Sequence, residues 1–147
     1  MANQLTIMTD NNGRQFFPDF FIYMGRVSTL AAGASDTAQI NIFADGDFIV
    51  TKINYFADIA GAAQTEDSRV IPLVRVQMTD TGSGRNLQNT AVPISSLAGH
   101  EGLPMNLPVP RVIKANANLT ITFTNYSAAT TYANVELAFI GYNKLYV

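Results

Sequence analysis

A chain of 147 residues is one domain by size, long enough to bury a core without a disulfide or a structural metal. Hydrophobic residues make up 48% of it and charged residues only 14%, which excludes an intrinsically disordered chain. A net charge of −2 with a pI near 5.1 excludes a strongly basic nucleic-acid footprint. The lack of cysteine excludes disulfides, thiolate metal sites and cysteine catalysis, and a single histidine excludes a zinc site of several imidazoles.

The first fifteen residues are polar and read as an N-terminal arm, residues 1–15, ahead of a domain over residues 16–147. They carry no basic segment followed by an apolar stretch, so no secretory signal is expected. Phe16–Val27 is apolar and aromatic, interrupted by Pro18, and predicts a strand around Phe20–Met24. Thr37–Phe43 predicts a strand with Ile40 and Ile42 on one face. Ala44-Asp45-Gly46-Asp47 is a turn, with glycine for positive φ and aspartates that bond their own backbone. Phe48–Ala57 is a long strand with apolar residues on both faces. Ile49, Thr51, Ile53 and Tyr55 alternate with Phe48, Val50, Lys52, Asn54 and Phe56. Ile71–Thr79 follows as a strand, with Pro72 at its entry, where the missing N–H does no harm. Leu87–Ile94 reads as a strand, and Ser95–Gly99 as at most one helical turn. Three prolines, at 104, 108 and 110, predict an extended connection over Leu103–Pro110 that crosses one end of the fold or lies against a neighbouring subunit. Leu119-Thr120-Ile121-Thr122-Phe123-Thr124 alternates strictly, with Leu119, Ile121 and Phe123 toward the core. A polar turn over Asn125–Thr130 leads into Ala133–Ile140, where Val135, Leu137 and Phe139 point inward. The two segments predict an antiparallel hairpin.

Strand formers dominate, turn residues recur at sandwich spacing, and no window holds a sustained helical period. The fold class expected is therefore all-β, an antiparallel β-sandwich in a single domain. The longest apolar runs fall far short of the ~20 residues of a membrane helix, so the chain is expected to be soluble and made in a cytoplasm. Asn118-Leu119-Thr120 and Asn125-Tyr126-Ser127 match the glycosylation sequon but read as strand and turn residues.

Chemistry-bearing motifs are weak. Thr79-Asp80-Thr81-Gly82-Ser83-Gly84-Arg85-Asn86 is glycine-rich, but a phosphate loop sits between a strand and a helix, and here a strand is expected to follow; it reads as a β-turn. Asp45 and Asp47 fall short of the six to eight oxygens calcium takes. His100 stands beside Glu101 with no G-x-S-x-G nucleophile elbow anywhere, so it reads as a loop histidine. Catalytic residues, a metal and a cofactor are not expected, and neither is an enzyme.

The run from Pro72 through Arg85-Asn86-Leu87 resembles a stretch found in small structural proteins of tailed bacteriophages. The likeness continues through Gly102-Leu103-Pro104, Leu107-Pro108-Val109-Pro110-Arg111, Asn118–Asn125 and the ending Leu137-Ala138-Phe139-Ile140-Gly141, and covers about Phe48 to Tyr142. The group it resembles is the capsid decoration, or cement, proteins with a jelly-roll fold. That resemblance implies a structural virion protein on the outside of an icosahedral capsid, which it stabilises by bridging capsid subunits. Its implied partner is the phage major capsid protein. The chain itself is expected to be a homo-oligomer, a dimer with exchanged arms or strands or else a trimer, with no direct contact to nucleic acid or membrane. It would be made in the host bacterial cytoplasm and end on the capsid surface. The contacts expected on that reading are Asn3, Leu5, Ile7, Arg14, Phe16 and Phe17 of the arm and its junction, Arg85 in its glycine loop, and Met105 in the proline segment. Arginine and aromatics are the types interfaces favour. The competing reading is a receptor- or glycan-binding β-sandwich module of a phage neck, tail or fibre. Against it, there is no Trp and the six tyrosines are scattered. A cupin-like enzyme would want several histidines where this chain has one.

Overall fold

Alternation of apolar and polar residues produces strands nearly everywhere, and the strands gather into two sheets. The computed structural model describes residues 6–61, 70–100 and 102–147. In chain order the elements are β1 (Met8–Thr9), β2 (Gln15–Leu30), β3 (Ser35–Asn41), β4 (Phe48–Ile59), β5 (Val74–Asp80), β6 (Arg85–Asn86), β7 (Val92–Pro93), α1 (Ile94–Leu97), β8 (Gly99–His100), β9 (Met105–Ile113), β10 (Asn118–Asn125) and β11 (Tyr132–Tyr146). The larger sheet runs β1-β2-β11-β4, with β8 and β9 both on the far side of β4; the smaller runs β3-β10-β5, with β6 and β7 both beside β5.

The pairings nest. β2 pairs β11, β3 pairs β10, β4 pairs β9, and β5 pairs the short β6 and β7. The chain is thus one long antiparallel hairpin rolled up so that successive pairs fall in alternate sheets, which is the jelly roll. The only parallel pairing among the described residues is the two-residue contact of β8 with β4.

The core lies between the sheets. Tyr23 and Val27 of β2, Val135, Leu137 and Phe139 of β11, and Phe48, Val50 and Ile53 of β4 face Ala38 and Ile40 of β3, Leu119, Ile121 and Phe123 of β10, and Val74, Val76 and Met78 of β5. Burying an alternate residue from each strand is what a two-layer sandwich requires. Gly25 faces inward on β2, where a Cβ would meet the Ile121 Cδ1 at 2.6 Å; the glycine makes room for that side chain.

Four expectations need correction. The segments of β10 and β11 do not form an antiparallel hairpin: β10 pairs β3 and β5 in the smaller sheet and β11 pairs β2 and β4 in the larger, because the nested roll sends consecutive strands to opposite layers. Phe20–Met24 is the middle of a much longer strand, β2, because Pro18 sits on an edge strand that tolerates it. Leu87–Ile94 is not a continuous strand. β6 and β7 are two residues each, and between them the Gln88 side chain takes the place of a main chain beside β5: its Oε1 accepts from Met78 N–H at 2.9 Å and its Nε2 donates to the Val76 carbonyl at 2.9 Å. Leu103–Pro110 does not cross an end of the sandwich; from Met105 on it is β9, antiparallel to β4. The ladder pairs Met105 with Ile53 and Asn106 with Lys52, then resumes at Arg111 with Val50. Pro108 and Pro110 fall in the interruption, where no ladder N–H is needed. The helical turn is α1, four residues long, whose Ile94 is fully buried.

Candidate contact surface

The N-terminal segment folds back on β2. Asp10 closes the turn by accepting from the Asn12 and Arg14 N–H groups, both at 2.9 Å, and Gly13 takes the left-handed conformation the turn needs. Met8 then pairs with Phe16 and Thr9 with Gln15. The Arg14 N–H bond, first among several causes, holds the Asp10 carboxyl below its ordinary range. Tyr146 donates its hydroxyl to Asp10 Oδ2 at 3.2 Å, and the Arg14 guanidinium lies 3.9 Å over the Tyr146 ring. Burial first, and Asp10 second, raise the Tyr146 hydroxyl above its ordinary value. Phe16 packs edge-on against Tyr146 and beneath Lys144, and is only 3% exposed.

Other loops meet at this same end of the sandwich. Asp47, in the β3–β4 loop, accepts from Lys114 Nζ at 3.2 Å and from the Ala115 N–H at 3.0 Å, while its carbonyl accepts from Lys144 N–H. Its carboxylate therefore ties two loops together. The glycine-rich loop joins β5 to β6 as a tight hairpin, with Asp80 Oδ1 accepting from Gly82 N–H at 2.9 Å. It places Arg85 in solvent at the hairpin tip. Among the described residues no group of three or more His, Asp or Glu is placed to hold a metal.

The expected contact residues are partly brought together. Ile7, Arg14, Phe16 and Phe17 cluster around the start of β2, and Arg85 lies at the same end on the other sheet. Met105 is apart from them, exposed beside Ile53 partway along β4. Phe16 is spent inside its own domain. Asn3 and Leu5 lie outside the described residues, as does Glu101 beside the exposed His100.

One surface feature was passed over by sequence reasoning. On the outer face of the larger sheet, β2 turns Phe20, Ile22 and Met24 to solvent at 70%, 47% and 51% exposure. Across the ladder they stand beside Tyr142, Ile140 and Ala138 of β11. Arg26 and Glu136, 3.7 Å apart, close the strip at one end. Burial lifts the Glu136 carboxyl above its ordinary range against the pull of Arg26. The signal was present in the alternation, since Tyr23 and Val27 occupy the opposite parity to Phe20, Ile22 and Met24. Which parity faces the core is decided by the partner sheet. A cavity of about 200 Å³ opens where β9 faces the β5–β6 hairpin, lined by Leu87, Leu107, Val109 and Phe139 with Arg111. Arg111 reaches 3.7 Å from the buried Asp80 of the other sheet.

No protein-family model matches the chain, and no curated protein does. Among solved structures it is similar to dimeric latent PorU from Porphyromonas gingivalis, at 7% identity and a TM-score of 0.39, over 98% of this chain and 14% of that one. That likeness is too slight to carry an argument.

Proposed function

We propose that this chain is a structural virion protein of the decoration, or cement, kind, which binds the outside of an icosahedral phage capsid and stabilises it by bridging capsid subunits. The observation that carries this reading is the apolar strip of Phe20, Ile22 and Met24 with its β11 neighbours. A contiguous exposed apolar strip rimmed by polar residues marks a surface made for another macromolecule. The segments that resemble decoration proteins support it as well. They fall on the β5–β6 hairpin, β9, β10 and β11, and so on both sheets of the roll.

The mechanism is contact area and not chemistry. An interface of ~1,600 Å² gives a stable specific contact. The outer face of the larger sheet and the loop-bearing end that holds Arg14 and Arg85 are two separate surfaces. Once one is seated on a capsid subunit, the other finds its neighbour at high effective concentration. The partner is the phage major capsid protein, and no cofactor is called for.

The test is the copy number of this protein in purified virus particles, measured by quantitative mass spectrometry against the major capsid protein. Copies on the scale of the capsid subunits are expected. A few to a few dozen would move the chain to the neck, tail or fibres and favour a receptor- or glycan-binding role instead.

A further inference from the structure

Among the described residues, β2 is paired along its length on one edge only. Its ladder to β11 runs from Phe16 to Leu30. On the other side, among the described residues, β1 occupies Gln15 and Phe16 and nothing pairs beyond them. From Asp19 onward, alternate N–H and C=O groups therefore point out of the sheet edge. Such an edge is a template for another strand, and proteins usually blunt it by keeping it short or charged. This one is long. Between Asp19 and Arg26 it holds no charged residue, and its outward side chains are Phe20, Ile22 and Met24.

We propose that this edge pairs antiparallel with the same edge of a second copy, about a two-fold axis passing at Ile22. A two-fold axis perpendicular to the sheet keeps each strand's faces aligned, so outward residues meet outward residues. Centred on Ile22, the register sets Ile22 against Ile22, Phe20 against Met24, Pro18 against Arg26 and Asp19 against Gly25. Every apolar side chain of the strip meets an apolar partner, and no like charges are opposed. The segment from Pro18 to Arg26 carries one acid and one base, so two copies do not repel. A shift to centre on Tyr23 would instead set Phe20 against Arg26. The pairing joins the two larger sheets edge to edge and merges their apolar strips into one face. It rests on β2 alone and does not depend on the capsid reading.

The test is sedimentation velocity of the full chain from micromolar to several hundred micromolar. A dimer that strengthens with concentration is expected. Ile22→Lys sets two ammonium groups against each other at the axis and weakens the dimer by roughly a hundredfold or more. Ile22→Glu does the same with carboxylates. Mixing the two variants restores a dimer containing one of each, with circular dichroism confirming that each is folded. Should either variant lose its fold, Phe20→Lys is expected to be monomeric and Phe20→Lys with Met24→Glu dimeric, since those positions face each other across the axis. A wild-type chain that stays monomeric throughout would overturn the proposal. So would a dimer indifferent to Ile22→Lys, or folded variants that do not restore each other.

Discussion

Asn125, the last residue of β10, ties its own turn to the end of β2. Its side-chain N–H groups donate to the carbonyls of Leu30 at 3.0 Å and Thr130 at 2.8 Å, and its oxygen accepts from the Ser127 N–H at 2.9 Å; the first and last of these bonds are buried. Asn125→Ala leaves the buried Leu30 carbonyl and Ser127 N–H without partners and should cost about 3 kcal/mol in urea unfolding. Gln88 makes a comparable pair of bonds to β5. Gln88→Glu turns a donor facing the Val76 carbonyl into an acceptor, and should destabilise at neutral pH and recover in acid as the carboxyl takes a proton. Glu136 responds to pH in the same sense. Its raised pKa means the folded chain keeps a proton that the unfolded chain has released, so stability falls as pH rises from the ordinary carboxylate range through the raised value. Glu136→Gln should therefore match wild type in melts near about pH 3.5 and exceed it at pH 7. Sequence put Asn125 in the polar turn, whereas it is the last residue of β10, in register with Val74. Nor could sequence show that the same side chain ties the β2–β3 corner, because Leu30 is ninety-five residues away. Gln88 was illegible for a related reason: an amide that imitates a peptide group has no periodicity to betray it.

At the scale of elements, β4 shows how a single residue redirects a strand. Phe48 and Val50 are buried at even positions, then Ile53, Tyr55 and Ala57 at odd ones. The parity changes at Thr51. β11 pairs Ile140 with Lys52 but Gly141 with Val50, and β9 breaks its ladder at the same place. Thr51 is the extra residue of a bulge, and its hydroxyl donates to the Ile140 carbonyl at 3.2 Å. The two apolar faces seen in the sequence of Phe48–Ala57 are therefore two halves of one inward face, out of phase. Gly141 sits opposite this bulge, where a Cβ would land on the Ile49 carbonyl oxygen. Gly141→Ala should cost on the order of 3 kcal/mol or more. Gly25→Ala meets only the tip of Ile121 and should cost about 1–2 kcal/mol; the order of the two midpoints in denaturant checks the bulge. The inward faces of β10 and β11 were the most legible feature, since Leu119, Ile121, Phe123, Val135, Leu137 and Phe139 are all buried as their alternation required. Their pairing was not. β10 and β11 lie in different sheets, because a jelly roll sends consecutive strands to opposite layers.

For the whole molecule, the nested pairing sets the folding rate. The β2–β11 ladder joins residues as far apart as Phe16 and Tyr146, so most of its loop-closure entropy is lost before its contacts form. Refolding in stopped flow should take milliseconds to seconds, as in other domains built of non-local strand pairs. Removing residues 1–14 deletes β1 but spares the β2–β11 ladder, so the truncated chain should keep its β-sheet circular dichroism. On the cement reading it should lose its binding to capsids, and full-affinity binding by the truncated chain would sink the role of the arm. All-β class and the inward faces of β10 and β11 followed from alternation alone. Which strands neighbour one another did not, because that information is spread over residues more than a hundred positions apart.

The nesting also decides how the molecule bears load. Phe16 stands opposite Tyr146 at one end of the longest ladder, and Leu30 opposite Tyr132 at the other. Tension drawn between the Phe16 and Tyr146 ends acts on one end of that ladder and opens its hydrogen bonds one after another, as a zipper does. Tension drawn between the Phe16 end of β2 and the Tyr132 end of β11 runs along the strands and must break the same bonds together. The same sandwich is compliant to peeling and stiff to shear, and the direction of an applied force selects between the two.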